Sequence, residues 1–216
     1  MFLRLFAFLG LLALVLAGCA PAPATPTASL PEFTFKGSPA DLVIRLDDLP
    51  TGWTLSTQYT PTVNEIAKGF GPDRGQALEF LGHNGIGAGY QRIFAYPSAA
   101  HRSMSSMVIL FADPPGARAV VERLATLERE SGWSEVPIAG RLTKDAVAFG
   151  GPGQYVSKGE TVVVSFIRLY MSFANAVVFL GTQDDTALVD GELVGSLASA
   201  QIARMGSFGG ADLKRP

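Results

Sequence analysis

The sequence has one cysteine, two histidines and a formal net charge of −2 in 216 residues. A lone cysteine closes no disulfide within the chain, so the fold must stand on its apolar core. The length allows this, because a chain of this size buries roughly 70–75% of the surface its unfolded form exposes. With two histidines, neither in a metal-ligand spacing, and no second cysteine, H-E-x-x-H and Cys/His zinc sites are excluded. A charge this close to neutral gives no broad footprint for DNA, RNA or anionic lipid, and Lys214-Arg215 is too short to change that. Nucleic-acid partners are therefore not expected. There is no G-x-S-x-G, no S-x-x-K in a suitable setting and no Walker A loop.

What is present begins at the amino terminus. Arg4 precedes an apolar run from Leu5 to Leu16, broken only by Gly10. That run suits a signal-peptide core and is shorter than the ~18–20 residues that cross a bilayer. Leu16-Ala17-Gly18-Cys19 follows. This segment resembles a lipobox, the cleavage and modification signal of bacterial lipoproteins. The resemblance implies removal of residues 1–18 and a diacylglycerol thioether on Cys19, detectable as palmitate. It also implies a membrane-anchored, extracytoplasmic place in the cell envelope. Ala20, where an Asp would retain the protein at the inner membrane, favours the outer membrane if the host is diderm. Each buried methylene adds about 0.8 kcal/mol, so two or more acyl chains anchor firmly. Residues 19–37 then form a lipidated, Pro/Ala/Thr-rich tether whose alternating prolines favour an extended spacer.

Residues 38–207 are expected to form a single α+β domain, with 208–216 as a flexible tail. Ser38-Pro39-Ala40-Asp41 has capping-box spacing and starts a helix with Leu42, Val43, Leu46 and Leu49 on one face. Asp113 caps a stronger helix from Pro114 to Arg129, striped by Ala117, Val120, Val121, Leu124 and Leu127. A third helix is expected over about 186–203, capped by Asp184 or Asp185, with Val189, Leu193, Leu197 and Ala200 on its face. Gly191 and Gly195 inside it each cost roughly 1 kcal/mol relative to Ala, which close packing against a sheet would excuse.

Runs rich in Val, Ile, Phe and Tyr predict strands over 90–96, 105–112, 161–170 and 174–181. Gln154–Ser157 should turn through Lys158-Gly159 into the third of these. The chain also echoes itself, as pseudo-repeats of about 38–112 and 113–207. Gly52-Trp53 matches Gly132-Trp133, Arg92-Ile93-Phe94 matches Arg168-Leu169-Tyr170, and the run from Val108 matches that from Val177. Each half alone has too few strands to cover its helix, so the two tandem helix-Gly-Trp-strand-strand units should share one antiparallel sheet with helices packed on it. This layout, with Leu49-Pro50-Thr51-Gly52-Trp53 at its start, resembles the PsbP/Mog1-like and sensor-type extracytoplasmic α+β modules. Those modules have no common catalytic residues to carry over.

Candidate ligand contacts are His83, Tyr90, Trp53 and Trp133; no catalytic, metal or cofactor-binding residue is identified, and no cofactor is expected. His83 lies in a Gly-rich stretch, Gly82 to Tyr90, that lacks the following helix a phosphate site requires. The two tryptophans could stack a ligand, although their placement after helix ends suits a core role. The paired acids Asp47-Asp48 and Asp184-Asp185 read as helix caps and solvated charge. The sequence thus points to a non-catalytic envelope module that binds a small apolar ligand or a partner protein. The alternatives are an envelope hydrolase with a site near His83, and an assembly or structural factor of a membrane complex.

Overall fold

The computed structural model describes residues 34–99, 101–140, 142–157, 160–184 and 191–211, with side-chain detail omitted for 155–157, 160 and 209–211. Pro31–Pro216 forms one unit by itself. The strands are β1 (Thr54–Tyr59), β2 (Ile86–Ala95), β3 (Ser103–Phe111), β4 (Ser134–Glu135), β5 (Val147–Ser157), β6 (Glu160–Phe173) and β7 (Ala176–Asp184). The described α-helices are α1 (Pro39–Leu42), α2 (Val63–Ala67), α3 (Arg74–His83), α4 (Pro114–Glu130) and α5 (Gly191–Ala211). The fold is α+β, with one antiparallel sheet in the order β1-β2-β3-β7-β6-β5-β4.

Two meanders meet at the centre of the sheet. β3 and β7 pair from Ser103↔Gln183 to Leu110↔Ala176, so both halves contribute to one sheet. Helices cover both faces, which is why the central strands read as unbroken apolar runs and not as alternating ones. On one face Phe94, Met104, Val108, Leu169, Met171, Val178 and Leu180 pack against Val194, Leu197, Ile202 and Met205 of α5 and against Leu42–Ile44. On the other, Ile109, Phe111, Phe149 and Val177 pack against Ala117, Val120 and Val121 of α4 and against Ile66, Phe70 and Leu81. Each fully buried side chain of this kind stabilises the fold by about 1.5–3 kcal/mol.

α4 forms as expected: the Asp113 carboxylate accepts from the Gly116 N–H at 2.8 Å, and Pro114 opens the helix. The first helix is much shorter than its sequence suggested. Ser38 caps it, but it ends at Leu42; Val43 turns extended, and both it and Ile44 bury completely. A separate 3-10 turn covers Leu46–Asp48. The stretch between β1 and β2, for which the sequence suggested no helix, holds α2 and α3. Thr62 and Glu65 form a reciprocal capping box on α2, and Asp73 caps α3. His83 accordingly ends a helix and is not in a Gly-rich loop.

The expected tether also needs trimming, because Phe35 is buried and its N–H donates to Asn175 Oδ1 at 2.6 Å. At the other end, α5 runs to Ala211, into the stretch expected as a tail. Asp184 ends β7; Asp185, Val189 and the expected start of this helix lie outside the described residues. The buried face of α5 is Val194, Leu197, Ala198, Gln201, Ile202 and Met205, rotated from the expected stripe. Gly195 is excused by a loop and not by the sheet. A methyl there would sit 1.7 Å from the Ala139 carbonyl oxygen.

The two halves share the sheet, but their matched residues face opposite ways. Val108 packs under α5 and Val177 under α4; Trp53 is on the α5 side and Trp133 on the α4 side. An offset of one residue is enough for this, since side chains alternate faces along a strand.

Candidate functional site

At one end of the sheet, on its α5 side, a cleft of about 200 Å³ opens beside Trp53. Its wall is built by the Pro50-Thr51-Gly52-Trp53 turn that leads into β1. Gly52 is held at φ +103°, and a methyl at this position would strike the Tyr96 ring at 2.7 Å. Glycine is therefore required both by the backbone and by the ring that packs on it. Trp53 meets Tyr96 edge-on, with centroids 5.4 Å apart and planes at 67°. The Tyr96–Arg102 turn joins β2 to β3, and its two ends are tied by the Tyr96 N–H donating to the Arg102 carbonyl at 3.1 Å.

Arg102 crosses the mouth of the cleft. Its guanidinium lies 5.3 Å from the Tyr96 ring centre, and its Nε donates to Asp184 Oδ2 at 2.6 Å. The Asp184 side chain is only 7% exposed, whereas that of Arg102 is 39% exposed. The ion pair thus joins the start of β3 to the end of β7 and neutralises a carboxylate that would otherwise be costly to bury. Gln183 reinforces the corner by donating from Nε2 to the His101 carbonyl at 3.2 Å. Thr182 lines the cleft between these groups. It is 7% exposed, and its Oγ1 has no hydrogen-bond partner. A buried hydroxyl without a partner costs about 1–3 kcal/mol, and such groups are uncommon in native folds.

Of the four candidate contacts, only Trp53 lines this cleft. Tyr90 lies farther along β2, opposite Val108, with Arg92 stacked 5.3 Å from its ring centre. His83 is exposed at the end of α3. Trp133 lies on the opposite face, where the Arg168 guanidinium is 4.4 Å from its ring centre and 5.9 Å from that of Phe166. Arg168 also donates to Glu128 Oε1 at 2.9 Å, and Tyr170 donates its hydroxyl proton to the same carboxylate. Burial, reinforced by that hydrogen bond, holds the Tyr170 phenol well above its ordinary range.

The sequence reading passed over Tyr96, Arg102 and Thr182 and took Asp184 for a helix cap. They come from distant parts of the chain, and only the β3–β7 pairing brings them together. Other hollows occur as well. One of about 210 Å³ lies at Ser105, Phe179 and Gly181 beside Arg168. One of about 560 Å³ lies between α3 and α4, floored by Phe70, Phe80 and Leu127 and rimmed by Arg123 and Glu130. No three His, Cys, Asp or Glu side chains gather to hold a metal among the described residues. No described helix is long and apolar enough to cross a membrane.

No protein-family model matches the chain, and no curated protein matches it. Its arrangement is similar to the extracellular domain of PknH from Mycobacterium tuberculosis. Identity is 13%, and the match covers 78% of this chain and 94% of that one with a TM-score of 0.48.

Proposed function

We propose that this chain is an extracytoplasmic, lipid-anchored binding module without catalytic chemistry, and that its cleft beside Trp53 receives a side chain of a partner protein in the cell envelope. The observation that carries the reading is a hollow lined by two aromatic rings, Trp53 and Tyr96, and by the Arg102–Asp184 ion pair. The ionisable groups lining the hollow, Arg102 and Asp184, are tied to each other, which suits recognition better than proton transfer. At about 200 Å³ the cleft is below the ~300–1,000 Å³ of pockets that enclose a whole small molecule, which suits a single side chain better. The order of charge, apolar run, small residues and Cys19 supports the anchor.

The test has two parts. Palmitate labelling should mark the wild-type chain and leave Cys19→Ala unlabelled. A photo-crosslinking residue at exposed Thr51 should then capture a discrete envelope protein in cells, while the same residue at exposed Glu79 on α3 should not. Equal capture from both positions, or none from either, would refute the cleft reading. A small apolar molecule retained in native mass spectrometry would move the site to the larger groove between α3 and α4.

A further inference from the structure

The hollow between α3 and α4 lies on the other face of the sheet from the Trp53 cleft and does not depend on it. Its volume of about 560 Å³ is within the ~300–1,000 Å³ of pockets that take a whole small molecule. Each helix gives it one stripe. Arg123, Leu127 and Glu130 follow at i, i+4 and i+7 along α4, and Asp73, Gln76 and Phe80 at i, i+3 and i+7 from the N-cap of α3. The helices run antiparallel. A methyl on Gly71, just before α3, would touch Leu127 at 3.6 Å, and one on Gly116, in the first turn of α4, would strike the carbonyl oxygen of Asn84, just after α3. Asp73 and Glu130 are therefore at one end of the hollow and Arg123 at the other. The helical rise between Glu130 and Arg123 is about 10 Å. Phe70, Ala77 and Leu127 make an apolar floor between them.

Both charged ends are open. The side chains of Arg123 and Glu130 form no ion pair or hydrogen bond with a described residue. Asp73 uses Oδ1 alone, accepting from the Gln76 N–H at 3.0 Å. An apolar molecule would leave both ends unused. An anion would meet Arg123 but bring a third negative charge to a hollow that already has two. A cation would leave Arg123 bare. A ligand that is positive at one end, negative at the other and apolar between them matches the whole surface. An extended chain of three residues has this form, with an ammonium and a carboxylate about 10 Å apart. The Gln76 carboxamide, midway along α3's stripe, can both donate to and accept from its peptide groups.

We infer that the hollow between α3 and α4 is a second binding site, for a free tripeptide with apolar side chains. Its ammonium meets Asp73 and Glu130, its carboxylate meets Arg123, and its side chains lie on Phe70, Phe80 and Leu127.

The test titrates the full chain with trileucine in three forms: both termini free, the amine acetylated, and the carboxylate amidated. Binding is read from the Leu127 methyl resonances, with the Trp53 indole N–H as a control for the cleft. Free trileucine should move Leu127 and leave Trp53 in place. Acetylation and amidation should each weaken binding about fivefold, the worth of one partly exposed ion pair. Arg123→Gln should bind the free form about fivefold more weakly and no longer distinguish acid from amide, while keeping the preference for a free amine. Glu130→Gln combined with Asp73→Asn, which still caps α3, should do the reverse. Unchanged Trp53 and Trp133 resonances in the free variants show that they are folded. Equal binding of the three forms, or a preference for the acid that survives Arg123→Gln, overturns the assignment. So does trileucine that moves Trp53 and not Leu127, or that moves neither. None of these outcomes bears on the partner protein at the cleft, which the Thr51 crosslink decides.

Discussion

The Tyr170 hydroxyl donates to the carboxylate of Glu128, which also receives Arg168, linking the C-terminal part of β6 to the last turn of α4. Both residues are buried. The phenol is held protonated by its burial and then by this bond, so its folded pKa lies above the value of about 10 it has when unfolded. Below pH 10 both states keep the proton and the contribution to stability is complete. Above pH 10 the unfolded chain releases a proton that the native chain retains. Stability then falls with rising pH, with a slope approaching ~1.4 kcal/mol per unit. Tyr170→Phe should cost about 1–2 kcal/mol at neutral pH through the lost bond. Its deficit against wild type should shrink as pH passes 10, measured by urea unfolding at a series of pH values. A deficit constant to pH 11 would show that Tyr170 titrates normally.

Arg168 is the second support of Glu128. Replacing it with Met keeps a long apolar stem against Trp133 but strands a carboxylate whose side chain is 9% exposed. Breaking a buried pair in this way costs about 3–5 kcal/mol when both partners are buried. Arg168 is about a third exposed, so water softens the loss to roughly 1–3 kcal/mol. Arg168→Met with Glu128→Gln should recover part of that loss. A double variant no more stable than Arg168→Met alone would mean that the stranded charge is not the cause.

The β6–β7 turn offers a change that should stabilise. Phe173 pairs with Ala176, leaving Ala174 and Asn175 as the turn, and Ala174 sits at φ +54°. Left-handed backbone costs a non-glycine residue about 1 kcal/mol, and this position is where such hairpins prefer glycine. Ala174→Gly should raise stability by up to ~1 kcal/mol, read as a higher denaturation midpoint with an unchanged slope. The neighbouring Asn175 is a different case. It receives the Phe35 N–H and donates Nδ2 to the Phe111 carbonyl at 2.7 Å. Asn175→Ala should cost about 2–4 kcal/mol, since it leaves buried backbone groups unpaired. It should also open the segment around Phe35 to limited proteolysis ahead of the rest of the chain. Simultaneous cleavage throughout would show that Asn175 does not fasten that segment.

How much of this was legible depended on how local the signal was. α4 could be read because Asp113, Pro114 and a 3.6-residue apolar period lie next to one another. The strands could be read from runs such as Val108-Ile109-Leu110-Phe111, all four of them buried, on alternate faces. α2 and α3 left only short marks, the Thr62/Glu65 capping box and the Asp73 cap, without a long apolar period to extend them. The cleft was largely illegible. Trp53 and the Pro50–Gly52 turn stood out, but Arg102 and Asp184 are 82 positions apart and meet only because β7 returns to lie beside β3. Strand order is a long-range property, and a lone Asp beside another Asp reads as a cap. The internal echo was also misleading in detail, since a one-residue offset between Val108 and Val177 puts the matched side chains on opposite faces.

Thr182 links site and stability most directly. Its hydroxyl is shielded from water and has no partner, so the free protein carries a desolvation cost of about 1–3 kcal/mol there. Valine has nearly the same shape and replaces that hydroxyl with a methyl. Thr182→Val should therefore stabilise the free protein by about 1 kcal/mol, raising Tm by roughly 2–4 °C for a domain of this size. Thr182→Ser keeps the hydroxyl, gives up the methyl and should be slightly less stable than wild type. Scanning calorimetry of the three proteins decides the matter: a Thr182→Val protein that melts below wild type means that the hydroxyl is already bonded.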